Sequence, residues 1–141
     1  MTAFSPIIGI EPKLLILGSM PSQISLRDNQ YYANPRNAFW WIMSKLFTFE
    51  FSIGYRQRSL ALQNEGVAVW DVLHDCERKG SLDSAIVKAS EQSNDFDRLF
   101  SSYPSISKVI FNGAAAETIF TRHNGPLIQT VAQTRPEFRW H

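Results

Sequence analysis

Apolar positions along this chain follow two periods. Short apolar runs at residues 13–17 (KLLIL), 67–72 (VAVWDV) and 107–111 (SKVIF) read as strands buried on both faces. A weaker run at 127–132 predicts a fourth, short strand. Between the runs the spacing changes to three and four. From Asn37 onward, Phe39, Trp40, Met43 and Phe47 mark one face of a helix, and Ile42 and Leu46 widen that stripe, predicting a largely buried helix. Residues 55–65 read as a more polar helix, with Leu60 and Leu62 turned inward and Gly66 as its stop. Asn94 is placed to cap a helix over 95–101, with acidic residues in its first turn. A further helix over 114–121 is expected to stop near Asn124-Gly125-Pro126. Residues 6–12 read as extended, 81–88 fit helix and strand equally, and the tail from Gln133 shows no period.

Strands alternating with helices predict an α/β fold: a parallel sheet with right-handed crossovers and helices on both faces. Ligands in such folds bind outside the carboxyl ends of the strands. Gly18-Ser19-Met20-Pro21, Asp71 and Asn112-Gly113 converge there. The stretch from Leu14 to Trp41 runs from strand through a long polar and aromatic loop into a helix, an arrangement that commonly carries chemistry.

The 141 residues suit one domain with a core of its own. Hydrophobic residues make up 44% and charged ones 19%, which excludes a disordered chain. A net charge of +1 excludes a polybasic arm or an acidic tail and argues against tight non-specific DNA binding, leaving a local basic groove open. Cys76 stands alone, so neither an internal disulfide nor a four-cysteine metal site is expected. Without a secretory pattern or an apolar stretch of membrane-span length, the expectation is a soluble cytoplasmic protein with no membrane partner.

Several residues carry candidate chemistry. Gly18 lets a ligand approach the backbone and Pro21 stiffens the exit, although a plain strand-ending turn explains the motif as well; it is neither a P-loop nor GxGxxG. Tyr31 and Tyr32 project in different directions, so one can pack while the other offers a flat face, and stacking on a base is worth about 1–3 kcal/mol. Pro35 biases Asn34 to extended backbone, and Asn37 then stands at a helix N-cap position. Asn112 carries the donors and acceptor that could read a nucleobase edge, with an Asn-Gly turn as the simpler account. Asp71, His74 and Asp75 could share one face of a helical turn, but no other His or Cys is placed to complete a metal site, and Asp71 suits capping. Ser19, Ser22 and Ser25 lack a partnered base. His123 and His141 read as surface residues.

LILGSMPSQISL followed by QYYANPRNAFW resembles the first motif of the uracil-DNA glycosylase superfamily, and most closely its hypoxanthine-DNA glycosylase branch. The mismatch-specific uracil/thymine branch is similar through the aromatic-Ala-x-Pro-x-Asn-x-Phe-Trp pattern from Tyr32 to Trp40. VIFNGAAA at 109–116 is similar to the later strand whose Asn contacts the base. The resemblance spans Leu14 to about Ala132. It implies a three-layer α/β/α sandwich with a four-stranded parallel sheet, and hydrolysis of the N-glycosidic bond of a deaminated base without metal or cofactor. It implies that Asn37 is catalytic, that Gly18, Ser19, Met20, Pro21, Tyr32, Asn112 and Gly113 surround the base, and that Ser22 and Arg36 meet DNA. Met20 stands where other branches place an Asp or Asn that handles water, and a thioether cannot do so. Asparagine is no general base at neutral pH, so Asn37 would position water rather than deprotonate it.

The family's second motif, of the form Leu-Pro-Ser-Thr-Ser-Pro-Ala-Asn, has no match: from Thr130 the chain reads TVAQTRPEFRWH. The expected organisation is a single glycosylase-like domain over residues 1–141 with that motif absent or replaced. The expected function is a monofunctional, monomeric DNA glycosylase for hypoxanthine and also uracil, acting on double-stranded DNA in base excision repair. The alternative is a catalytically degenerate relative that binds nucleic acid or a nucleobase.

Overall fold

The computed structural model describes residues 3–141. Its centre is β1 (Leu14–Gly18), which the chain leaves through a loop carrying a short helix, α1 (Gln23–Asp28). Two helices follow, α2 (Phe39–Leu46) and α3 (Tyr55–Asn64), then β2 (Val67–Asp71) and a small hairpin of β3 (Leu73–Asp75) and β4 (Gln92–Ser93). The chain closes with α4 (Phe96–Ser102), β5 (Lys108–Phe111), the long α5 (Ala114–Thr134) and β6 (Arg139–Trp140). Four strands form one sheet in the order β2–β1–β5–β6, every neighbour parallel, as the alternation predicts.

Because side chains alternate along a strand, β1 feeds two cores. Leu15 and Leu17 pack with Phe96, Phe100, Ile119 and Phe120 of α4 and α5. Ile16 faces the other way, with Phe39, Trp40 and Met43 of α2 and Leu62 of α3. This is the three-layer α/β/α arrangement. The strands point their carboxyl ends to one edge, where the loops gather.

Several expectations fail for identifiable reasons. The helix over 114–121 does not stop at Asn124-Gly125-Pro126 but runs to Thr134, and residues 127–132 belong to it rather than to a strand. An interior proline costs about 3 kcal/mol. Ile128 and Val131, buried in the core, continue the face of Ala116, Ile119 and Phe120 beyond Pro126. Burial worth about 1.5–3 kcal/mol per large apolar side chain outweighs the lost hydrogen bond. The fourth strand lies instead in the aperiodic tail. There Arg139 N–H bonds to Ser107 O at 2.9 Å, His141 N–H to Val109 O at 3.0 Å, and Phe111 N–H to His141 O at 2.8 Å. Phe138, 2% exposed, and Arg135, whose guanidinium donates to the Phe100 and Ile106 carbonyls, pin that tail.

Helix α2 is less buried than its stripe suggests. Ile42 and Leu46 are 43% and 65% exposed and border an apolar groove against Ile110 of β5. In α3 Leu62 is buried but Leu60 is exposed, since residues two apart lie on different faces of a helix. Asp95, not Asn94, caps α4 through the Arg98 N–H. Asn94 instead donates its amide to the Asp71 carbonyl at 2.8 Å. The ambiguous 81–88 region contains the 3-10 turn Asp83–Ala85.

Candidate active site

Where β1 and β2 end, a cavity of about 400 Å³ opens between the loop after β1, the loop before β4 and the end of β5. The first two loops are tied to each other. The buried Arg78 guanidinium donates to the Pro21 and Gly80 carbonyls, and the Gln23 N–H bonds to Ser81 Oγ at 2.9 Å. Ser22 caps α1 by accepting from the Ser25 N–H, while Ser25 Oγ accepts from the Ala33 N–H at 3.1 Å. A segment rich in polar residues thus acquires one shape through its own side-chain hydrogen bonds.

The sequence-predicted residues divide cleanly. Gly18, Ser19, Met20, Pro21, Ser22, Tyr32, Asn37 and Asn112 line the cavity together. Gly113 lies outside the lining; with φ +104° it opens α5. Arg36 is exposed outside the lining as well, its N–H bonded to Asn34 Oδ1 at 3.0 Å. Met20 lines the cavity but is only 6% exposed, and its side chain joins the α4–α5 core.

Of the two tyrosines, Tyr31 is the core member. It is 3% exposed and donates its hydroxyl to the Ser5 carbonyl at 2.8 Å. Tyr32 has φ +53°, a left-handed conformation that bulky residues rarely adopt and that clusters at functional sites. Its ring stacks on Phe39 with centroids 4.0 Å apart and planes 21° apart. Its hydroxyl is buried without a hydrogen-bond partner. Burial first, and then the Asp71 charge, push that phenol's pKa up; Asn112 opposes the shift but is not in hydrogen-bonding geometry.

Asn37 is not the N-cap of α2, which is Ala38, but stands one residue before it. Its Oδ1 accepts from the Phe39 N–H at 2.9 Å, satisfying an otherwise orphaned donor at the mouth of α2. The residue is exposed and lines the cavity. With the carbonyl oxygen engaged, the amide N–H₂ group is what Asn37 can offer a ligand.

Asp71 is the residue whose weight in the site the sequence conceals. It caps no helix and shares no helical turn with His74 and Asp75; it ends β2, and they lie on β3. Only 3% exposed, it lines the cavity with Oδ2 lacking any hydrogen-bond partner. Gly18 makes room for it, since a Cβ at that position would stand 2.5 Å from Asp71 Oδ1 and 2.9 Å from the Tyr32 hydroxyl. Burial, reinforced by the nearby Asp83 charge and opposed by Arg78, pushes the Asp71 carboxyl up to about 7. Asp83 reaches the same cavity and accepts from Ser19 Oγ at 2.6 Å. A terminal Asp on a strand otherwise rich in valine was the available signal, but its burial depends on packing across three segments.

The chain is similar to known proteins. The chain is 36% identical over 111 residues to the hypoxanthine DNA glycosylase of Methanosarcina barkeri, covering 78% of this chain and 69% of that protein. It is 34% identical over 114 residues to the hypoxanthine DNA glycosylase of Methanosarcina acetivorans, covering 80% and 71% respectively. Its fold is similar to the solution NMR structure of a Methanosarcina acetivorans protein described as a candidate uracil DNA glycosylase. That match has a TM-score of 0.80 and 29% identity, and covers 99% of this chain and 80% of the other. No family model matches the chain.

Proposed function

This chain belongs to the hypoxanthine-DNA glycosylase branch of the uracil-DNA glycosylase superfamily, and on that premise we propose that it hydrolyses the N-glycosidic bond of deaminated bases in double-stranded DNA, hypoxanthine foremost and uracil second. The observation that carries this reading is the meeting of Tyr32, Asn37 and Asn112 around one cavity at the carboxyl ends of the strands. A base inside a duplex cannot reach such a pocket, so the nucleotide must leave the stack, at a cost of a few kcal/mol that is smallest at a damaged or mismatched base. Stacking on an aromatic ring returns about 1–3 kcal/mol. Phe39 covers one face of Tyr32, which leaves the opposite face for the base. Asn112 supplies amide hydrogen bonds to the base edge. Asn37 holds water near the sugar through its free N–H₂ group while C1′ gains cationic character, a positioning role.

Among the described residues no lysine lines the cavity. A covalent Schiff-base intermediate with the sugar has no amine to form it, and the reaction is monofunctional hydrolysis. The enzyme works as a monomer in base excision repair.

The test is a panel of duplexes carrying deoxyinosine, deoxyuridine or deoxyxanthosine, incubated with the protein and then treated with alkali. Breaks at deoxyinosine, fewer at deoxyuridine, are expected. Intact strands at high protein concentration, with a Methanosarcina relative active in parallel, would overturn the reading in favour of a nucleobase-binding relative without catalysis.

A further inference from the structure

A purine leaves C1′ poorly unless a proton reaches its ring, because the bonding electron pair must otherwise remain on the base. The cavity offers few sources for that proton. Asn37 and Asn112 are amides, which do not give up protons near neutral pH. Ser19 already directs its hydroxyl proton to Asp83. Of the acidic side chains that line the cavity, Tyr31 donates its hydroxyl to the Ser5 carbonyl, the Tyr32 phenol has its pKa pushed up by burial, and Asp83 is engaged by Ser19; that leaves the Asp71 carboxyl, with an oxygen that nothing in the protein bonds. Buried polar atoms are nearly always paired, so a lone carboxyl oxygen at a ligand cavity calls for an explanation.

We propose that Asp71 is the general acid of this enzyme, donating a proton to the departing purine; the assignment rests on the glycosylase reading above. The C1′–N9 bond breaks and its electron pair passes into the imidazole ring. The Asp71 O–H bond breaks as its proton bonds to a ring nitrogen, N7 or N3. A water oxygen then bonds to C1′, and the proton it sheds returns to the Asp71 carboxylate, restoring the acid. Base and sugar leave as neutral hypoxanthine and a free hydroxyl, so atoms and charge balance.

The surroundings suit the role. Gly18 presents no side chain against the carboxyl, which is why it reaches the cavity floor. The groups that act on it electrostatically are Asp83 and Arg78 from the loop before β4 and Tyr31 and Tyr32 from the loop after β1. Arg78 is the sole cation among them, and its guanidinium is turned to the Pro21 and Gly80 carbonyls. Burial and the Asp83 charge keep the proton on Asp71 up to about pH 7, where a general acid is most effective.

The experiment is single-turnover excision from deoxyinosine and deoxyuridine duplexes across pH 5–9, with Asp71→Asn and Asp83→Asn beside the wild type and duplex binding measured separately. Asp71→Asn should lower the deoxyinosine rate about 10²–10³-fold, within the range general acids supply, while binding changes less than about threefold. Its effect on deoxyuridine should be at least about tenfold smaller, because uracil departs as a resonance-stabilised anion. The wild-type deoxyinosine rate should fall above about pH 7, that limb should vanish in Asp71→Asn, and in Asp83→Asn it should move to lower pH as the repulsion is removed. An active wild type whose Asp71→Asn variant keeps the rate or the falling limb overturns this assignment alone. A wild type inactive on every duplex removes the glycosylase reading and this inference with it.

Discussion

Two carboxylates in this molecule are nearly shut off from solvent, and they are treated in opposite ways. Asp71 lies at the cavity floor with one oxygen unpartnered, and burial and the Asp83 charge push its pKa up to about 7. Glu91, just before β4, has a side chain only 3% exposed and accepts from both Arg122 Nη1, at 2.6 Å, and His123 Nε2, at 2.8 Å. Burial pulls the Glu91 pKa upward too, but the Arg122 and His123 hydrogen bonds outweigh it and the net displacement is downward. The Glu91 cluster clamps the β3–β4 hairpin to α5, helped by Asn124 donating to Ser93 Oγ at 2.9 Å. One carboxyl is satisfied and holds the scaffold together. The other is left unsatisfied among the residues that line the cavity, and a buried polar group without a partner is the kind that functional sites retain.

That contrast breaks if pocket variants lose stability rather than rate, or if clamp variants lose rate rather than stability. The largest expected effect is in the pocket. Asn37→Ala should lower the deoxyinosine excision rate about 10²–10³-fold, the cost of losing one preorganised polar group. Losing the hydrogen bond from the Phe39 N–H should lower stability by only about 1 kcal/mol. Single-turnover kinetics and chemical denaturation on the same preparation separate the two; a stability loss large enough to explain the rate would remove Asn37 from the site.

Next in size is a pH effect on folding. Asp71 has a folded pKa raised from about 3.9 to about 7, so the unfolded chain releases this proton first. Its contribution is fully present below about pH 4 and is lost as pH rises to about 7. Three pKa units correspond to about 4 kcal/mol. Asp71→Asn should therefore be more stable than wild type by about 3–4 kcal/mol at pH 8 and nearly equal to it at pH 4. Denaturation midpoints at the two pH values read this directly, and a variant destabilised at pH 8 would mean that the carboxylate is paired after all.

The sequence foretold the parts of this picture that depend on near neighbours. The apolar runs located three of the four strands of the main sheet, and the long first motif together with the later VIFNG run pointed to Tyr32, Asn37 and Asn112, which meet at one cavity. It misread what tertiary packing decides. Pro126 looks like a helix stop until Ile128 and Val131 are seen to be buried beyond it. The last strand, Arg139–Trp140, has two residues and no room to show alternation. Asp71 and Glu91 are both acidic residues beside short strands, and only three-dimensional pairing tells the orphan from the clamped one.

The smallest effect is the one that tests the clamp. Glu91→Gln keeps the shape and an acceptor oxygen but removes the charge that Arg122 and His123 share. Hydrogen bonds to a charged group contribute about 1.5–3 kcal/mol. Arg122 and His123 retain partial solvent access, which brings the expected loss to about 1–2 kcal/mol near neutral pH. The sign with pH is opposite to that of Asp71. A carboxylate with a lowered pKa stabilises the fold above its unfolded pKa and loses that contribution as pH falls through the folded value, so the deficit of Glu91→Gln should shrink toward acid. Because the clamp stands apart from the cavity lining, excision by the folded variant should stay within about twofold of wild type, as expected for sites that share no partners. A Glu91→Gln protein that keeps its stability but loses excision would place the hairpin's attachment to α5 within the catalytic cycle, and the division between an unsatisfied working carboxyl and a satisfied structural one would no longer hold.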